Sequence, residues 1–192
     1  PNSEVKSLLQ KLRAKHGSPF VPKTTLTKPV GAPGQDQSLE KNIKIANALL
    51  DSAGWQMKAD GIRSKNGKRM IINLVLNSPL FQRIVEPYKN NLKKIGVRLD
   101  IKVVQIAKYE EILRNFNFDM IVANYPQSRS PGNEQRSMWS TEAASTPGSR
   151  NYMGIKNPAV DELINNIVEA KSRKELINSI QAMDRILTHQ FY

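Results

Sequence analysis

Cysteine is absent from the 192-residue chain. Disulfides, thiol nucleophiles and cysteine-based zinc sites are therefore excluded. Histidine occurs only as His16 and His189. They lie far apart without an HExxH-like spacing, so both are expected at the surface, and neither metal nor cofactor is expected. No window approaches the roughly eighteen consecutive apolar residues that span a bilayer. A GxSxG elbow, a GxxxxGK[ST] loop and a GxGxxG loop are all missing, which removes the common hydrolase and nucleotide signatures. Glu110 and Glu111 are adjacent on a short predicted helix and point in different directions. Asp161-Glu162 and Asp184-Arg185 fall on predicted helices and read as solvated or salt-bridged faces. No catalytic residue is expected, and the chain does not read as an enzyme.

A surplus of positive charge is what the sequence does have. The net charge is +12, with a mean hydropathy of −0.49 and 39% hydrophobic residues, enough for one core. Residues 39–104 carry thirteen Lys/Arg against five Asp/Glu, whereas 157–192 carry four against five. Two readings fit: a solvated surface on a protein of high pI, or a basic nucleic-acid-binding module. The second lacks support from RRM, KH or zinc-finger patterns, and the aromatic residues do not interleave with the basic ones. Nucleic acid is thus an unfavoured partner.

Residues 1–37 read as a short helix followed by a proline-rich arm. VKSLLQKLRAK places Val5, Leu8, Leu9 and Leu12 on one face. Gly17–Gln37 holds Pro19, Pro22, Pro29, Pro33, Gly31 and Gly34 and reads as an extended connector. Residues 38–192 read as one α/β lobe. Ser38 caps a helix through LEKNIKIANALLDSAG with Leu39, Ile43, Ala46, Leu49 and Leu50 as its stripe and Gly54 as its stop. DGIRSKNGKR carries turn signals. RMIINLVLN, VRLDIKVV and FDMIVAN read as strands, separated by a helix from Pro79 that Pro87 should kink or restart, and by a short helix through KYEEILRNF. The order predicts a βαβαβ parallel sheet flanked by helices, with ligands expected beyond the strands' carboxyl ends. Two closing helices are expected to pack on that sheet. AVDELINNIVEAK presents Val160, Leu163, Ile164, Ile167 and Val168, and RKELINSIQAMDRILTHQF presents Leu176, Ile180, Met183, Ile186 and Leu187.

Between the third strand and the closing helices, SPGNEQRSMW and GSRNYMGIKNP show no helical or strand period. This polar loop is the candidate recognition surface. Arg129, Arg136 and Arg150 offer forked donors for carboxylate or phosphate. Asn124, Gln127, Asn133, Gln135 and Asn151 offer amides, while Tyr125, Trp139 and Tyr152 offer flat walls. Ser128 and Ser130 lie among them, and Glu134 is placed to receive an ammonium. The opposing reading is that several of these groups satisfy the loop's own backbone.

The ordered set ANALLDSAGW, DGIRSKNGKRM, LKKIGVRLDIKVV and NFDMIVANYP resembles the peptide-binding receptors of ABC importers, extracellular solute-binding family 5. SPGNEQR, GSRNYMGIKNPAVDELI and AMDRIL are similar to the branch that imports oligopeptides and microcin C. The resemblance covers nearly all of Ser38–Tyr192. It implies a single lobe of a type II periplasmic binding protein, which binds without reacting and delivers peptide-like ligands to an ABC permease in the inner membrane. It also implies a periplasmic location and a first lobe outside this chain. The chain opens on PNSEVKSLLQ without an initiator Met and ends at THQFY, and is expected to be an excised piece able to self-associate through its interlobe face. Family members commonly place an Asp beyond the FD strand to grip the peptide amino terminus. Ser128 occupies that position here, so either Glu134 substitutes or the ligand is not held by a free amine. Trp55 and Asp119 also match family motifs, and are expected to seal the core and to order the strand entrance.

Overall fold

Helix α1 (Ser3–His16) starts where the Asn2 side chain accepts the Val5 N–H, and buries Val5, Leu9 and Leu12 along one stripe. The next residues do not form the extended connector expected of them. Val21 and Thr25 are fully buried, and Lys23–Leu26 form a 3-10 turn. Side chains from far along the chain collect the carbonyls of this segment: Gln190 donates to Pro19, Asn157 to Phe20, and the Arg185 guanidinium to Thr25 and Thr27. Prolines supply few backbone donors, and here the unmatched carbonyls are satisfied by tertiary contacts. The computed structural model describes residues 1–27 and 37–192, so Pro29, Gly31, Pro33 and Gly34 of the expected arm lie outside the described residues.

The chain divides into two compact units, Pro1–Gly31 with Tyr125–Tyr192, and Ala32–Asn124. This differs from a division into 1–37 and 38–192, because α1 shares a core with the closing helices.

In the middle unit, Ser38 caps α2 (Leu39–Ser52) by accepting the Lys41 N–H. The helix forms where its pattern places it, yet none of its residues is buried, and Leu39 and Leu49 are exposed. A small antiparallel sheet follows: β1 (Gln56–Met57), β2 (Arg63–Lys65) and β3 (Lys68–Arg69). Lys65 pairs with Lys68 across Asn66 and Gly67, both at positive φ, the conformation that makes Asn-Gly a two-residue hairpin turn. Buried Arg63 organises the unit. It donates to the carbonyls of Ile95 and Trp55 and to the side chains of Asp51 and Asn47, joining α2 to the turn before the main sheet. Half-buried Trp55 serves here through its backbone.

The main sheet comprises β4 (Ile71–Leu76), β5 (Arg98–Val103) and β6 (Met120–Ile121), parallel, in the order β5-β4-β6. A 3-10 turn at Pro79–Phe81 leads into α3 (Gln82–Lys94), which continues through Pro87. Helix α4 (Ile106–Arg114) joins β5 to β6. Leu74, Leu76 and Leu99 pack with Val85 and Leu92 of α3 on one face, and Val75 packs with Tyr109 and Ile112 of α4 on the other. The βαβαβ sheet flanked by helices is therefore present. Its third strand is shorter than the expected 118–124. Asp119 lengthens the pairing by accepting both the backbone and side-chain N–H groups of Asn73.

The chain then returns to the first unit. Residues expected to lack regular structure form α5 (Glu134–Trp139) and a 3-10 turn at Ala143–Ser145. Asn157 caps α6 (Pro158–Val168) and Ser172 caps α7 (Arg173–Gln190). Their stripes find their cover in α1: Ala159, Val160, Leu163, Ile164 and Ile167 pack with Ala182, Met183 and Ile186 against Val5, Leu9, Leu12 and Val21. Three further expectations change. Arg185 is buried, not on a solvated face, and His189 is buried rather than superficial. His16 is largely buried against Glu162, at 2.7 Å. Glu162 is held below the usual carboxylate range, mainly by Lys15 and also by His16.

Candidate functional site

Residues 125–157 are fixed by their own polar side chains and by α6. Thr141 is held through its N–H and hydroxyl by Asp161 of α6, at 2.8 and 2.6 Å. Buried Ser149 donates to the Ala143 carbonyl at 2.6 Å. Asn151 is fully buried: its amide donates to the carbonyls of Ser140 and Ile155 and accepts the Ile155 N–H, each at 2.9 Å. Asn151 is thus a strut of the loop and is removed from the expected ligand contacts. A buried amide with its groups matched has nothing left to offer a ligand.

An aromatic cluster stands on this frame. Tyr125 stacks on Trp139 with ring centroids 4.7 Å apart, and Tyr152 lies tilted at 6.2 Å. The Arg150 guanidinium sits 5.5 Å from the Tyr125 ring centre, and the Tyr125 hydroxyl donates to the Arg150 carbonyl. Burial pushes the Tyr125 phenol above its usual range. An amide relay fixes the indole: Trp139 donates to Gln135 at 2.9 Å, and Gln135 donates to Gln127 at 2.7 Å. Tyr125, Trp139 and Arg150 are therefore brought together, as a candidate site requires.

The three arginines are not gathered at one point. Arg150 belongs to the aromatic cluster. Arg136 lines a shallow hollow with Gly148 and Ser149. Arg129 borders a cleft of about 250 Å³ against α7, whose floor includes Trp139, Ile180, Met183 and Leu187. Neither the Arg129 nor the Arg136 side chain forms an ion pair among the described residues. Arg173 pins the loop by donating to the Arg129 carbonyl and, at 3.5 Å, to the Ser130 hydroxyl. Ser128 accepts the Ser130 N–H at 3.1 Å, closing a local turn. Glu134 accepts the Gly132 N–H at 2.9 Å, and this bond chiefly holds its carboxyl below the usual range. Asn133, Glu134 and Asn124 are exposed. The opposing expectation thus holds for Asn151 and Ser149, while the exposed arginines remain outward-facing.

Asp184 was not among the expected site residues, although it borders the α7 cleft. The signal was present in Ile180, Met183, Asp184 and Leu187, an acid inside an apolar i, i+3, i+4, i+7 stripe.

Comparison with known proteins decides the family. The pattern described as "Bacterial extracellular solute-binding proteins, family 5 Middle" matches residues 5–147. The chain belongs to this family. Among its relatives are the protein y4wM of Sinorhizobium fredii, 37% identical over 91% of this chain and 26% of that protein. The probable peptide-binding protein YejA of Agrobacterium fabrum is 33% identical over 83% of this chain and 26% of its own length. The chain spans about a quarter of these relatives. Among solved structures, the oligopeptide-binding protein AppA of Bacillus subtilis, in complex with a nonapeptide, superposes with a TM-score of 0.69 at 22% identity, covering 97% of this chain and 40% of that one. Family 5 comprises solute-binding proteins, and the superposition on AppA shows the type II periplasmic binding-protein fold expected for this lobe. Neither the family nor its relatives give support to a nucleic-acid module.

Proposed function

We propose that the protein carrying this chain is the substrate-binding receptor of an ABC importer for peptide-like ligands. It captures the ligand without chemical change between this segment and a first lobe outside it, and delivers it to permease subunits in the inner membrane. A periplasmic location accords with the extracellular role of the family. The observation that carries the reading is a rigid Tyr125–Trp139–Tyr152 wall with Arg150 upon it, flanked by the outward arginines Arg129 and Arg136. Such a surface suits an extended, amide-rich ligand with carboxylate groups: aromatic faces accept the chain and forked donors take the acids. The naming of YejA as a probable peptide-binding protein supports the same class.

Asn124, Tyr125, Ser128, Arg129, Ser130, Asn133, Glu134, Arg136, Trp139 and Arg150 are the proposed contact region. Calorimetric titration of the full-length receptor, this segment together with its first lobe, against peptide pools of two to nine residues tests the reading. Arg129→Gln or Arg136→Gln should weaken binding roughly tenfold or more, the worth of a charge-assisted hydrogen bond, with an unchanged circular dichroism spectrum. Flat titrations across all pools would reject the proposal.

A further inference from the structure

Helix α2 buries none of its residues. Its inner side is tied down by polar bonds: Arg63 donates to Asn47 and Asp51, and Lys65 donates to the Ala53 carbonyl at 2.8 Å, just past the helix end. The opposite side holds Lys41, Lys44, Ile45, Ala48, Leu49 and Ser52, which share one face at i, i+3, i+4 and i+7 spacing. All six are exposed, Ile45 at 42% and Leu49 at 63%, and no acid lies on this face. The hairpin whose Lys65 reaches the end of α2 sets Lys65 directly across from Lys68. Like charges so placed destabilise a sheet. Among the described residues Lys41, Lys44, Lys65 and Lys68 form no ion pair. The acids of the unit do not relieve them, because Asp51, Asp60, Glu86 and Asp100 are paired with Arg63, Arg69, Lys89 and Arg98.

We propose that the outward face of α2, with the Lys65–Lys68 hairpin beside it, docks on a membrane surface rich in anionic lipid headgroups. A bilayer matches both features of the face at once, because it sets a layer of phosphates directly above hydrocarbon. Lys41 and Lys44 meet the phosphates while Ile45 and Leu49 dip beneath them. A nucleic acid would use the lysines and leave Ile45 and Leu49 in water. A second copy of the chain, seated by two-fold symmetry, would bring the same lysines face to face. With two large apolar side chains inserted, the contact is shallow, reversible and sensitive to salt. The inference rests on α2 and its hairpin, not on the peptide reading. Where that reading holds, docking concentrates the receptor at the bilayer that carries its permease.

The test is co-sedimentation of the full-length receptor with vesicles of phosphatidylcholine alone and of phosphatidylcholine with about 30% phosphatidylglycerol. The anionic vesicles should bind about tenfold more tightly, and raising salt from about 0.05 to about 0.5 M should remove most of the difference. Lys41→Gln/Lys44→Gln and Ile45→Ser/Leu49→Ser should each weaken binding about fivefold or more. Lys6→Gln/Lys11→Gln, which removes the same charge from exposed positions of α1, should change it less than about twofold. Equal affinity for the two vesicles, binding that survives both α2 variants, or an equal loss in the α1 variant would overturn the assignment. So would self-association abolished by Ile45→Ser/Leu49→Ser without vesicle binding, which would give the face to a second copy. Peptide titrations on the α2 variants should match those of the unaltered receptor, so failure of the importer reading and failure of this one are read separately.

Discussion

Replacing Arg63 by alanine should destabilise the middle unit by about 3 kcal/mol. The side chain is 2% exposed and donates four hydrogen bonds, to Ile95, Trp55, Asp51 and Asn47. At about 1.5–3 kcal/mol for each bond to a charged group, the gross loss has a ceiling near 6–12 kcal/mol. Two effects reduce it. The guanidinium's own desolvation cost, several kcal/mol, disappears with it. Asp51, 55% exposed at its side chain, regains water once unpaired. What persists is the loss at the two carbonyls and at half-buried Asn47, together with a cavity, which places the net at the low end of the roughly 3–5 kcal/mol seen when one partner of a buried pair is removed. For a chain of this size that corresponds to a fall in Tm of about 6–12 °C. Urea unfolding read by Trp55 emission, in a Trp139→Phe background, measures the change where it occurs. Arg63→Lys should retain most of the defect, because a single ammonium cannot reach acceptors arranged for a fork. A shift under about 0.5 kcal/mol for Arg63→Ala, or full rescue by lysine, would refute the idea that fork geometry binds these segments.

Gly96→Ala should cost about 2–4 kcal/mol by the same assay: the residue sits at φ +77°, and a Cβ would lie 2.8 Å from Arg63 Cγ and Met57 Sδ, adding backbone strain to overpacking. Asn151→Ala should cost about 2–3 kcal/mol through its unmatched carbonyls, and hydrogen exchange at the Ile155 N–H should accelerate while that at Leu74 in β4 does not. His189 has a buried Nε2 without a hydrogen-bond partner among the described residues, and burial, aided by Arg185, depresses its pKa. Its folded value lies below its unfolded one, so the stability it contributes is complete above the usual imidazole value and drains away as pH falls through the folded value. Urea midpoints followed downward from pH 7.5 should show that decline, and His189→Phe should flatten it; an unchanged profile in the variant would contradict the assignment.

The elements that the sequence revealed are those whose signals are local. Ser38, Asn157 and Ser172 cap α2, α6 and α7 by short-range bonds, and the strand runs at 71–76 and 98–103 are apolar or alternating with turn residues beside them. The small sheet stayed hidden because strands of two or three residues carry no period, although its Asn-Gly turn was visible. Residues 17–27 misled because proline content reports backbone donors, whereas Arg185, Asn157 and Gln190 reach that segment from more than 130 residues away. Packing of the closing helices on α1 was equally illegible, since an apolar stripe does not name the surface that covers it. In the site, residue type located the aromatic–arginine cluster, but it could not distinguish the outward Arg129 from the buried Asn151. That difference lies in which backbone groups the loop leaves unmatched.

The middle unit is inserted into a unit made of the two chain ends, and this sets an order of assembly during synthesis. Val5, Leu9 and Leu12 leave the ribosome about 150 residues ahead of the first of the helices that cover them. At about 5–20 residues per second, α1 waits roughly 8–30 s as an uncovered amphipathic stripe. Throughout that interval the nascent chain presents a hydrophobic handle at α1, while the inserted segment is already free to complete its own sheet.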